Sequence, residues 1–325
     1  MSNSLSRRSL LKAFGAAALV GRAAPSIDAA GPKGMRGVFI ILNTPFTHAG
    51  EVDWDDLERE VDFVERGGCH GVVWPQGSSG VATLTREERL RGMEVLARAT
   101  RQRRVTLVLG VQGRDTAEML DYTARAEALG ADAMIAMPPS TGRSLDDYRA
   151  YFRALGAATS RPTVVQTSGG ARDLSPSVEL IVALAREFPH MAYVKEESEP
   201  LVSRMKAELA ARPPLKGIFG ASLGSGFLYE MRLGLDGIIT GMGMYADLMG
   251  LMWDLHERGR HEEVRDAYAR FLLMRNLNDS IPGTDLFIMK KRGIFKTAVR
   301  RTSAPAAGAP PKLTEIAPAG PDLEE

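Results

Sequence analysis

Cysteine is nearly missing from this chain: Cys69 is the single one among 325 residues. That excludes an internal disulfide and any thiolate-rich metal cage, and Cys69 reads as a buried structural thiol. The five histidines, His48, His70, His190, His256 and His261, include no i, i+4 pair and no carboxylate at ligand spacing. Neither a catalytic metal nor any other cofactor is therefore expected. An excess of one charge is missing too, since 41 Lys and Arg stand against 40 Asp and Glu. With the signs interleaved, no field draws nucleic acid or an anionic membrane. No segment reaches 18 unbroken apolar residues, so neither a membrane-spanning helix nor a stable membrane anchor is expected. What is present, 44% hydrophobic and 25% charged residues, fits one globular domain with ample apolar surface to bury.

Residues 1–30 read as an address. Ser6-Arg7-Arg8-Ser9-Leu10-Leu11-Lys12 sets an arginine pair ahead of the Ala-rich stretch from Ala13 to Gly21, which is too short to span a bilayer as a mature helix. It resembles a twin-arginine export signal, with processing expected within 23–30, where Ala23, Ala24, Ala29 and Ala30 offer small residues. The expected partner is the twin-arginine export machinery and the expected location is periplasmic or otherwise exported. An amphipathic first helix is the competing reading, but the apolar residues run without a polar face, and Gly15, Gly21 and Pro25 interrupt them.

From Arg36 the chain repeats a short apolar run, a Gly or Pro turn and an amphipathic stretch of helical period, which implies a parallel sheet. Eight runs can be counted: Val38 to Leu42, Gly71 to Trp74, Val105 to Val111, Ala133 to Met137, Thr163 to Gln166, Ala192 to Lys195, Gly217 to Phe219 and Gly237 to Thr240. Eight favours a closed (β/α)8 TIM barrel over an open sheet, placed at 31–247. Helix signals lie between the runs. Thr85 with Glu88 forms a capping box, and Ser175-Pro176 offers an N-cap followed by Pro at the first helical position. A C-terminal helical extension is expected over 248–302, as Leu248 to Glu257, Glu262 to Asn276 and Leu286 to Val299. The Ala- and Pro-rich remainder, 303–325, reads as a disordered tail.

In such barrels the reacting groups project from the carboxyl ends of the strands. The sixth run ends in Lys195-Glu196-Glu197. Burial would lower the lysine pKa and free a neutral amine to attack a carbonyl. From position alone, a lysine turned outward into a salt bridge with Glu196 or Glu197 explains the residues equally well. After the second run, Gly77-Ser78-Ser79-Gly80 offers backbone N–H groups and two hydroxyls to a carboxylate, although Gly-Ser turns are commonly just loops.

Taken in order, several motifs resemble the dihydrodipicolinate synthase and N-acetylneuraminate lyase family. They are Thr44-Pro45-Phe46, Gly77-Ser78-Ser79-Gly80 with Leu84-Thr85 and Glu87-Glu88-Arg89 behind it, Gly130-Ala131-Asp132-Ala133 leading to Pro138-Pro139, and Val194-Lys195-Glu196. The similarity runs from about Arg36 to Val299. It implies a barrel with C-terminal helices, commonly tetrameric, so a homo-oligomer is expected. The lysine matching Lys195 would condense with pyruvate or another 2-keto acid. Ser78 and Ser79 would hold the substrate carboxylate beside Gly77, with Thr44, Thr167 and Thr240 at the pocket wall.

The chain departs from the family pattern at several places. Val81 stands where the family motif carries Glu, and Ser140 where many members carry a tyrosine. Gln166 occupies the place of the family's proton-shuttling tyrosine and cannot gain or lose a proton near neutral pH. The synthase arginine that follows this tyrosine matches Arg172 only if the alignment is shifted, so lysine biosynthesis itself is not expected. Ser140, or a water held by Gln166 and Thr167, or the substrate's own carboxylate would have to move protons instead. Two functions follow: an exported Schiff-base lyase for a pyruvate-like 2-keto acid, or an exported keto-acid-binding protein that has shed its proton shuttle.

Overall fold

The computed structural model describes residues 33–281, 283–305 and 311–315. The arginine pair and the processing zone fall outside the described residues. Eight strands form the barrel: β1 (Gly37–Ile41), β2 (Gly71–Trp74), β3 (Thr106–Gly110), β4 (Ala133–Ala136), β5 (Thr163–Gln166), β6 (Tyr193–Lys195), β7 (Gly217–Gly220) and β8 (Gly237–Thr240). They pair in parallel in chain order, and β8 returns to β1 to close the barrel. Seven helices fill the connections: α1 (Trp54–Arg66), α2 (Arg86–Thr100), α3 (Thr116–Leu129), α4 (Leu145–Ala158), α5 (Val178–Glu187), α6 (Leu201–Ala210) and α7 (Phe227–Leu233). Three more, α8 (Ala246–Glu257), α9 (His261–Ser280) and α10 (Thr284–Lys291), make the C-terminal extension. The architecture is the expected (β/α)8 barrel.

Strand alternation sorts the side chains into two cores. Phe39, Ile41, Val73, Val108, Ile135, Val164, Phe219 and Ile239 fill the barrel, while Ile40, Val72, Leu107, Val165, Val194 and Ile238 face the helices. The interior is closed by large rings set against missing side chains. Phe39 and Phe219 meet edge to face with centroids 5.5 Å apart. A Cβ on Gly71 would stand 2.2 Å from the Phe39 ring, and one on Gly237 1.9 Å from the Gly37 carbonyl oxygen. The β1 to β8 seam therefore requires glycine at 237, whose φ of 154° other residues rarely adopt.

Local capping explains where helices begin. Thr85 accepts from the Glu88 N–H at 3.1 Å while Glu88 accepts from the Thr85 N–H at 2.9 Å, the expected reciprocal box. The helix expected at Ser175-Pro176 instead starts two residues later, because Ser177 accepts from the Leu180 N–H at 3.2 Å. Cys69 is buried and donates to the Ala246 carbonyl at 3.1 Å, and burial pushes its thiol pKa up.

The C-terminal end departs from expectation in two ways. The last helix stops at Lys291 rather than reaching Val299, since Gly293 at φ 71° turns the chain. Val299, the expected last residue of that helix, instead opens β9 (Val299–Arg301), and within the segment expected to be a disordered tail, β10 (Leu313–Glu315) pairs antiparallel with it. Arg301 anchors this pair. Its guanidinium makes two bonds to Glu88, at 2.8 and 2.9 Å, and one to the Thr83 carbonyl at 3.0 Å, and it lies 4.5 Å over the Phe46 ring. A bidentate, charge-assisted contact supplies what a short apolar-poor strand lacks.

Candidate active site

Lys195 is the last residue of β6 and points into the barrel, on the same parity as Tyr193, whose ring packs with the inner core. It is 4% exposed, and its Nζ lies 2.9 Å from Glu197 Oε2. Burial, the larger influence, pulls the ammonium pKa below its usual value, and Glu197 pulls in the other direction. The outward-turned lysine, one of the two readings of the sequence, is not realised: the amine is buried and meets Glu197 on the inner side. Strand parity is the reason: residues i and i+2 share a side, so Glu197 follows Lys195 inward while Glu196 turns out toward α6.

Glu196 is fully buried. Its Oε1 accepts from Thr167 Oγ1 at 2.8 Å and from the Ser198 N–H at 2.7 Å, and its Oε2 from Arg204 Nε at 3.0 Å. Beside it, burial first and Glu196 second push the Glu208 carboxyl pKa well above the usual carboxylate range. Thr167 Oγ1 also accepts from the Glu197 N–H at 2.9 Å. Its hydroxyl is thus engaged outside the barrel, and Thr167 fixes the strand-end loop rather than touching a substrate.

Gln166 pairs in register with Lys195 on the neighbouring strand and is 4% exposed. Its Nε2 donates to Ser168 Oγ at 3.0 Å, and its Oε1 has no partner among the described residues. Ser168 Oγ donates in turn to Glu197 Oε2, the same oxygen that holds Lys195. A continuous chain therefore runs from Gln166 through Ser168 and Glu197 to the amine. Sequence reasoning missed Ser168 and treated Glu197 only as a competing salt-bridge partner; the i, i+2 spacing from Lys195 was the available signal.

The serine-bearing turn is a single 3₁₀ turn, Gly77–Ser79. Ser79 is buried, and its Oγ accepts from the Gln76 N–H at 3.1 Å, so that hydroxyl closes the turn. Ser78 is exposed and lies against Gly241 past the end of β8, where a Cβ would come within 2.3 Å of Ser78 Oγ. As the first N–H groups of the turn, those of Gly77 and Ser78 have no partner within it. Thr44 donates to the Ser79 carbonyl at 2.6 Å and accepts from Trp74 Nε1 at 3.0 Å, which locks the β1 loop onto this turn. Asn43, Thr44 and Gly77 to Gly80 line a cavity of about 390 Å³, shared with Asp285 and Arg300, whose lining includes neither Lys195 nor Gln166.

Two expected residues lie elsewhere. Thr240 follows the inward Ile239, so it shares the helix-facing side with Ile238 and cannot reach the barrel interior. Ser140, carried outward by Pro138-Pro139, is exposed in a cleft of about 470 Å³ with Val81, Arg86, Arg89 and Gly169, a cleft whose lining includes neither Lys195 nor Gln166. Beneath the end of β7, Glu230 of α7 is 1% exposed, with its carboxyl against Gly220. Burial raises it to about 8, with the Ala221 backbone pulling the other way.

Residues 34–299 match the model of the dihydrodipicolinate synthetase family. The chain belongs to that family. It is 27% identical to the 4-hydroxy-tetrahydrodipicolinate synthase of Chlorobaculum parvum, over 84% of this chain and 93% of that one. It is 32% identical to the enzyme of the same name from Rhizobium meliloti, over 50% of this chain and 55% of that one. It is also 26% identical to the L-2-keto-3-deoxyarabonate dehydratase of Azospirillum brasilense, over 73% of this chain and 76% of that one. Among solved structures, the dihydrodipicolinate synthase of Acinetobacter baumannii complexed with pyruvate superposes with a TM-score of 0.75 at 21% identity, covering 85% of this chain and 94% of that one. That likeness bears on the fold.

Proposed function

We propose that the protein is a Schiff-base lyase for a pyruvate-like 2-keto acid, in which Lys195 bonds the keto carbon and the free N–H groups and hydroxyl at Gly77 and Ser78 hold the carboxylate. The observation that carries this is a single amine, buried at the carboxyl end of the barrel with its pKa lowered. Relatives named as synthase and dehydratase support keto-acid chemistry, and a protonated imine serves as electron sink in either direction. Treatment of the purified protein with pyruvate and borohydride is expected to add one reduced pyruvate unit, located to Lys195 by peptide mass spectrometry. Unmodified Lys195 at saturating pyruvate would end this reading.

The enzyme's place of work is outside the cytoplasm, a reading supported by Arg7 and Arg8 ahead of the Ala-rich stretch. Residues 1–35 fused to a folded reporter are expected to send it to the periplasm, and changing Arg7 and Arg8 together to lysine to stop it. A reporter that stays in the cytoplasm with the native segment contradicts export.

A further inference from the structure

We propose that Glu197 is the proton carrier of imine formation, placed on β6 and held by Ser168 and Gln166, in the role that the family's tyrosine fills from β5. This rests on the Schiff-base reading of Lys195. Three observations carry it. Glu197 Oε2 is 2.9 Å from the amine, and Glu197 is the sole carboxylate ion-paired with it among the described residues. The side chain of Glu197 remains 21% exposed against 5% for Lys195, so the glutamate keeps an access to solvent that the amine lacks. Gln166, on the strand where the tyrosine is missing, carries no exchangeable charge state, and its hydrogen-bond chain ends on Glu197.

The neighbouring titratable groups are otherwise engaged. Glu196 is bound to Thr167, Ser198 and Arg204, and Glu208 beside it sits on α6, on the helix side of the sheet. Tyr148 donates to the Leu174 carbonyl and accepts from the Ala171 N–H at 2.8 Å. Tyr193 lies two residues before Lys195, against Gly217 and within the influence of Asp236, toward the amino end of the barrel.

The step balances without an outside acid. An ammonium and a ketone give a protonated imine and water, so two protons move from nitrogen to oxygen. Glu197 accepts the first from Lys195, which frees the lone pair to form the N–C bond. It gives that proton to the former keto oxygen. It then takes the second from the carbinolamine nitrogen and returns it to the hydroxyl, which leaves as water while the C=N bond forms. Glu197 ends as a carboxylate facing the cationic imine.

Glu197→Gln keeps the size and hydrogen bonds but holds no transferable proton. The rate of pyruvate-dependent trapping by cyanoborohydride, followed by intact mass at neutral pH, is expected to fall about 10²-fold or more. The direction separates roles, because Glu197 raises the Lys195 pKa. A residue acting only through its charge would, once neutral, leave more free amine and faster trapping. Glu197→Ala offers a second route, in which added formate is expected to restore trapping at least about tenfold without affecting the wild type. Trapping by Glu197→Gln at or above the wild-type rate, or no restoration of Glu197→Ala by formate, overturns the assignment. Failure of the wild type to trap pyruvate would instead overturn the Schiff-base reading itself.

Discussion

Lys195→Met is expected to leave the barrel folded and to reduce exchange of pyruvate methyl protons into heavy water to the buffer background. Methionine matches the stem of lysine in length and fits an apolar wall, so the change removes the nitrogen with little disturbance to packing. Imine formation is the route by which the methyl protons become acidic, since the cationic nitrogen accepts the electrons left behind. A loss of at least about 10³-fold corresponds to about 4 kcal/mol of barrier. Proton NMR of pyruvate reads the rate directly, and a thermal melt of the same sample verifies the fold. Exchange by the variant at the wild-type rate would place the chemistry on another group. Binding of pyruvate by the wild type without any exchange would favour a binding protein over a lyase.

The second large effect concerns stability. Glu230→Gln is expected to flatten the pH dependence of unfolding between about pH 4.5 and 8. The wild-type carboxyl is protonated when folded up to about 8, against 4.5 as usual. Below the lower value both states hold the proton and the group contributes fully. As pH rises the unfolded chain releases it first, so folded stability falls until the folded pKa is passed and the slope vanishes. With a slope of about 1.4 kcal/mol for each pH unit between the two values, the wild type loses about 4 to 5 kcal/mol across the window. Glutamine cannot ionise. Urea titrations of both proteins at several pH values isolate the difference, since every other group is common to them, and parallel profiles would mean that Glu230 ionises normally in the folded state.

The eight strands were legible because each is a short apolar run closed by glycine, proline or a polar residue, and that punctuation is local. The capping box at Thr85 and Glu88 was legible for the same reason. Position 175 misled because two serines flank Pro176, and which of them caps depends on where the loop arrives. The β9 to β10 pairing could not be read: Leu313 to Glu315 is exposed, and its anchor joins Arg301 to a glutamate 213 positions away. Within the site, Lys195 and the serine turn stood out by motif. Their neighbours did not, because a sequence shows which residues carry hydroxyls but not which hydroxyls are already engaged. Thr44, Thr167 and Ser79 are committed to the scaffold, and Thr240 faces the wrong side of its strand. Glu197 was hidden by weighing a salt bridge against burial, where strand parity allows both.

Joining the first strand to the eighth has a bearing on biosynthesis. While the ribosome is still making the chain, β1 lacks one of its two neighbours, and Lys195 emerges before the strands that complete its enclosure. Until Gly237 to Thr240 have been added the cylinder stays open, and the burial that lowers the pKa of that amine is incomplete. On the Schiff-base reading of Lys195, a chain ending before the eighth strand would therefore carry a less reactive amine than the finished protein.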